Sequence, residues 1–324
     1  MKYSLLTRLR RNGAFYLIST FLLLIGIPVY QALVLVPRGY GNALASTNLN
    51  HIAFYLAWLG THTASFLIYR ILLLIAFVLL LSMPFSLFRI IVAQELVAQQ
   101  EEAELADSND EGEENEDEEQ DITDYEEDAE RPEEENRENE TDDVDEDEDT
   151  HDEEDGVDEE GESIEVASDG MPAYPWRGKG FAIIAAWSGI CGIVAYVLGT
   201  LASTLFLLIV GHSATVQMTV PTTITVLLSI FSITTNTAGI GLLALSALFY
   251  GAVIARRGTR LWPGEWVGFG YLALAVSALL SGSAVSVASA PTSGQTALTS
   301  PAIVLFALWI GWLGLMLVRL RPEP

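Results

Sequence analysis

The chain has 324 residues, with 16 Lys and Arg against 43 Asp and Glu, a net charge of -27 and 50% hydrophobic residues. Residues 95–169 hold 41 of the 43 acids and only Arg131 and Arg137 as bases; the rest carries 14 Lys and Arg against Glu265 and Glu323. An apolar, mildly basic chain with a polyanion in its middle is not a soluble enzyme, a disulfide-rich secreted domain or a nucleic-acid binder with a basic face.

The N-terminus is basic, with Lys2, Arg8, Arg10 and Arg11 before a long apolar run. That run, Ala14–Val36, is too long for a signal peptide core and is expected to be a retained first transmembrane helix. Five further segments of bilayer-spanning length follow: Ser65–Val92, Phe181–Val210, Thr223–Ala255, Trp266–Ala290 and Ala302–Val318. In hydrocarbon the backbone must satisfy its own hydrogen bonds, so all six are expected to be helices. Pro28 and Pro84 should kink the first two. His51–Gly60, with Phe54, Tyr55 and Trp58, is too short to span; it is expected at the membrane interface rather than as an extension of the second helix. The fold class is therefore an all-α polytopic membrane protein. Its parts are an N-terminal membrane part (1–93), an acidic loop (94–175) and a C-terminal four-helix bundle (176–324).

Orientation follows from the basic residues, because cytoplasmic ends collect Lys and Arg. With the N-terminus inside, Arg89, Arg177, Lys179, Arg256, Arg257, Arg260, Arg319 and Arg321 join the N-terminal cluster on the cytoplasmic side. Arg38 alone lies outside, and Arg70 is expected to snorkel near the outer end of the second helix. Trp176, Trp262 and Trp266 are expected at the inner boundary. Both termini and the acidic segment are then cytoplasmic.

Residues 95–169 lack the apolar content to offset chain entropy and are expected to be disordered, although 94–106 have the composition to extend the second helix. Asp107, Asn109, Glu111, Gly112 and Glu118 nearly follow a calcium loop, but Glu114 stands where an apolar residue belongs, and a polyanion replaces the second helix. The segment is a solvated linker or an interaction tail that captures a basic cytoplasmic protein.

With only Lys2 and Lys179 as lysines against 14 arginines, and with acids dominating the one large aqueous segment, the chain resembles the membrane proteins of halophilic archaea in composition. The resemblance implies a salt-rich cytoplasm, where a Debye length of about 3 Å at 1 M weakens self-repulsion within the polyanion. It rests on no functional motif.

No Asp, Glu or Lys sits mid-span, which argues against a carrier coupled through acidic residues. His51, His62 and His212 fall on the outer side without short-range ligand spacing, so no metal site is expected. Cys191 lacks the later arginine and histidine order of a membrane cysteine transpeptidase and is expected to be a small residue in a packed helix. No phosphate-binding glycine loop is present, and neither cofactor nor catalytic residue is expected.

The third helix carries small residues at Ala185, Ser188, Gly192, Ala195, Gly199 and Ala202, a heptad seam suited to close packing, within the chain or in a homo-oligomer. A second seam runs through Gly270, Ala273, Ser277, Ser281, Ala284 and Ala288, and a third through Thr237, Gly241, Ala244 and Gly251. The first two helices, rich in Leu and Phe, are expected to face lipid more. Thr234, Thr235, Asn236, Thr237, Ser277 and Ser281 are uncharged polar residues at bilayer depth. They either hydrogen-bond between helices or line a path for a small neutral or zwitterionic solute. The leading expectation is a non-enzymatic scaffold or regulator acting through 95–169; the alternative is a transporter or permease subunit.

Overall fold

The computed structural model describes residues 3–45, 51–113, 178–214, 221–289 and 297–319. The described residues are helical apart from short turns, with no strand. Six helices are long and apolar enough to cross a bilayer: Thr7–Leu35, Thr63–Gln99, Lys179–Gly211, Thr222–Arg260, Gly264–Ser289 and Thr299–Arg319. They are called spans one to six below. Each matches one of the expected segments; spans one and five stop one residue short, at Leu35 and Ser289, and spans one, two and four run several residues further at one end or both.

Residues Met1–Ala98 and Tyr174–Pro324 form one compact unit, and Gln99–Ala173 form a second. In the first unit, neighbouring spans run antiparallel. Asn12 bonds Ser86 and Ser19 bonds the Ala76 carbonyl between spans one and two. Thr237 bonds the Ala284 carbonyl between spans four and five, and Ser283 lies 3.3 Å from Thr299 between spans five and six. Span six then returns to span one: a Cβ on Gly13 would stand 2.8 Å from the Leu317 Cβ, and Thr20 bonds the Ala307 carbonyl. Tyr16, Phe77, Ile193, Tyr250, Phe269 and Trp309 share one continuous apolar core drawn from all six spans. Span one buries the smallest share of its residues, as expected of a lipid-facing helix. Span two is as buried as spans three and five.

Both predicted prolines disturb their helices. Pro28 lies between two wide π-type turns, Leu22–Gly26 and Gln31–Leu35. A proline supplies no N–H and crowds the preceding turn, so the hydrogen-bond ladder shifts around it. Pro84 follows an outright break, where Leu79 ends one helix and Met83 starts the next. Around Pro84 the bundle closes tightly. The Tyr250 hydroxyl donates to the Pro84 carbonyl at 2.7 Å, and a Cβ on Gly189 would stand 2.8 Å from the proline ring.

The small-residue seam of span three is filled by span four of the same chain. A Cβ on Gly192 would stand 2.9 Å from both the Gly239 carbonyl oxygen and the Leu243 nitrogen, and one on Gly199 would strike the Thr235 hydroxyl. Ser188 is buried and bonds its own helix, while Ala195 is half-buried. On span four the contact glycines are Gly239 and Gly251; Gly241, expected in the seam, meets nothing within 4 Å. The reason is the seven-residue π-type stretch Ile233–Gly239, whose wider turns shift the helical phase. On span five, Gly270, Ala273, Ser277 and Ala284 are buried as expected, but Ser281 and Ala288 are exposed.

His51–Thr61 is a helix of its own, separated from span two at His62, whose backbone leaves helical geometry at φ -122° and ψ 28°. It packs on the end of span three through Leu56, Leu59 and Leu207, so it does not extend the second helix. The helix Met83–Glu113 continues past the expected 94–106 extension. Asp107–Gly112 therefore lie on a helix and form no calcium loop. Residues 114–169, with Trp176 and His151, lie outside the described residues. Trp262, expected at the boundary, is 2% exposed in the turn between spans four and five.

Candidate functional site

The six polar residues singled out in the sequence do not gather at one place. Thr235 is buried against Gly199 of span three, and its hydroxyl has no hydrogen-bond partner among the described residues. Asn236 is half-buried and reaches only Ser232, one turn back, at 3.5 Å. Thr237 turns to span five, bonding the Ala284 carbonyl at 3.4 Å. Ser277 is buried. Thr234 and Ser281 face outward. Four consecutive residues on a helix necessarily point in different directions. Interhelical hydrogen bonding thus accounts for Thr237, and close packing for Thr235. Cys191, expected in a packed position, is exposed on the outer side of span three.

The structure places two other clusters of polar chemistry in the bundle. The first surrounds Arg70. Its guanidinium lies 5.0 Å over the Phe66 ring, a cation–π arrangement. Tyr40, Tyr55, Tyr69 and Tyr196 flank it, drawn from four different helices. Tyr40 packs 5.1 Å from Trp58 and 6.3 Å from Tyr69, ring centre to ring centre. The Arg70 Nε has no partner among the described residues. Arg70, expected to snorkel, is half-buried, with an aromatic face and phenol dipoles around its guanidinium. Burial pushes the Tyr40 phenol up, with Tyr55 and Tyr69 adding to the rise and Arg70 opposing it. Burial also raises Tyr55, again against the pull of Arg70.

Nearby, the Arg38 guanidinium donates to the Ser65 hydroxyl, and the Trp58 indole donates to the Arg38 carbonyl at 2.6 Å. His62 stacks on Trp58 at 5.1 Å, with its Nδ1 2.8 Å from the Thr61 hydroxyl. These contacts make His62 a structural residue. No group of three metal-ligating side chains exists among the described residues. The side chains of His51 and His212 are outside them.

The second cluster sits at the opposite end of spans one and two. The Tyr16 hydroxyl lies 3.0 Å from Ser82 Oγ and 2.8 Å from Ser86 Oγ, and Asn12 donates to Ser86 at 3.0 Å. At that same end, Glu95 is 2% exposed and pairs with Arg257 at 2.9 Å. Gln94 donates to the Leu261 carbonyl at 3.0 Å. These two bonds tie span two to the turn joining spans four and five.

None of these clusters was read from the sequence. Asn12, Tyr16, Ser82 and Ser86 carry a faint signal: polar residues at i and i+4 on each of two helices place hydroxyls on one face. The Arg70 shell carries no local signal, because its residues are far apart in the chain. Comparison with protein-family models, curated proteins and solved structures finds no match for the chain.

Proposed function

We propose that the protein is a multi-pass membrane protein, with both termini inside, that acts as a non-enzymatic scaffold or regulator. Its acidic residues 95–169 engage a basic cytoplasmic protein. The observation that carries this reading is the attachment of span two just before the acidic segment begins in earnest. Glu95 and Gln94 are held to Arg257 and Leu261, four and five residues before Gln99. A polyanion leaving a fixed point of a bundle is a suitable tether for a basic partner, since charge complementarity governs encounter rate and specificity. The placement of Arg8, Lys179, Arg257 and Arg319 at helix ends that share one side of an antiparallel bundle supports the inside orientation. The scarcity of lysine and the excess of acid fit a salt-rich cytoplasm.

The test is crosslinking and co-purification from native membranes in molar potassium chloride, comparing the intact chain with one lacking residues 107–165. A basic partner held by the intact chain and lost with the deletion is expected. The same partners recovered from both overturns the reading. A solute path through spans four and five is the weaker alternative, since Thr234 and Ser281 face away from the bundle. On that alternative Asn236→Leu abolishes flux while sparing expression; on the scaffold reading it leaves partner recovery unchanged.

A further inference from the structure

Spans one and two line a half-open cavity of about 280 Å³ at the end of the bundle that carries the clustered arginines. A water's share of liquid volume is roughly 30 Å³, so there is room for several waters or one tetrahedral oxyanion. Arg8 stands on one wall and Arg89 on the other, both exposed. Neither forms an ion pair among the described residues. The floor is the hydroxyl and amide network of Asn12, Ser82 and Ser86, backed by the Tyr16 hydroxyl. Leu9 and Phe85 complete the lining, and Phe85 is 52% exposed on the outside of the bundle. Among the described residues no carboxylate lines the cavity.

The cavity lies at the break in span two, with Ser82 in the turn before Pro84 and Ser86 in the first turn of the helix after it. Two guanidiniums line the same cavity with no ion pair to either among the described residues, and an anion between them would offset their mutual repulsion. Guanidinium pairs suit phosphoryl oxygens because each offers a planar fork of donors. Hydroxyl donors below supply bonds to the remaining oxygens.

We propose that this cavity binds a phosphoryl oxyanion between Arg8 and Arg89, with Asn12, Ser82 and Ser86 as its floor. Two sources share that chemistry: the phosphodiester of an anionic lipid, whose acyl chains would leave past Leu9 and Phe85, and a free phosphate from the aqueous side.

The experiment uses the full-length chain, delipidated in neutral detergent and followed by native mass spectrometry. The probes are phosphatidylglycerol, phosphatidylcholine and inorganic phosphate, each at 0.15 M salt, about one Debye length of 8 Å. The variants are Arg8→Gln, Arg89→Gln, their double variant, and Arg319→Gln as a basic control at the same end but outside the cavity. Retained circular dichroism and elution volume establish that each variant folds. The expected result is retention of phosphatidylglycerol or of inorganic phosphate, weakened at least tenfold in the double variant and unchanged in Arg319→Gln. Phosphatidylglycerol retained without competition from inorganic phosphate assigns the lipid source; phosphate retained alone assigns the soluble one. The proposal is overturned if neither probe is retained. It is overturned equally if the double variant binds like the parent, or if Arg319→Gln loses as much, since either means diffuse attraction to a basic surface.

Discussion

The contact between spans three and four and the contact between spans one and two cross the same thickness by different means. Spans three and four touch backbone to backbone. Gly192 lies under the Gly239 carbonyl, Gly199 under Thr235, and Ser246 donates to the Ala185 carbonyl at 2.7 Å. Spans one and two are joined by side chains: Asn12, Tyr16, Ser19 and Tyr30 each reach a hydroxyl or a carbonyl across the gap. In lipid, helix association relies on close packing and interhelical hydrogen bonds rather than on hydrophobic burial; the contact of spans three and four leans on the first, with Ser246 adding one bond, and that of spans one and two on the second. The glycine contact tolerates no added atoms. The side-chain contact leaves space, and the cavity beside Arg8 and Arg89 is that space.

The sharpest way to break the comparison is Gly192→Leu. The new Cβ alone would sit 2.9 Å from two backbone atoms of span four, and backbone in a packed helix does not step aside cheaply. A loss of about 3 kcal/mol is expected, the upper end for overpacked interiors. It would be read as a large fall in the thermal unfolding midpoint of the purified protein in detergent. An unchanged midpoint would mean that spans three and four do not touch there.

A smaller effect is expected of Glu95→Ala. It strands Arg257, whose side chain is 38% exposed and so partly rehydrates. Breaking a fully buried pair costs about 3–5 kcal/mol, and an exposed pair contributes about 1 or less, so about 2 kcal/mol is expected here. Glu95→Ala with Arg257→Ala should recover part of the loss. If the double variant is as unstable as the two single losses added together, the residues do not interact.

What was legible in the sequence, and what was not, divides along the same line. Six spans were visible because length and hydropathy are local properties of a segment, and the span-three seam was visible because small residues recur at helical spacing. The Glu95–Arg257 pair joins residues 162 apart, and the Arg70 shell joins Tyr40, Tyr55, Tyr69 and Tyr196. Nothing in any one segment marks those residues as neighbours. Gly241 was misplaced for a different reason: its seam assumes a constant turn. In span four that assumption fails because the ladder widens at Ile233–Gly239.

That widening makes the smallest expected effect the most discriminating. A regular helix through span four would put Gly241 in line with Thr237 and Ala244, facing a neighbour. The observed helix instead brings Gly239 within reach of Tyr196, where a Cβ would stand 3.1 Å from its backbone nitrogen, and leaves Gly241 open. Gly239→Ala should therefore lower the unfolding midpoint clearly. Gly241→Ala should change stability by less than about 0.5 kcal/mol, as surface changes away from special features do, with any residual shift upward because alanine favours the helix. The pair is read in one thermal melt series against the parent. If Gly241→Ala proves the more damaging substitution, span four is a regular helix. Thr235 and Thr237 would then exchange their neighbours in spans three and five.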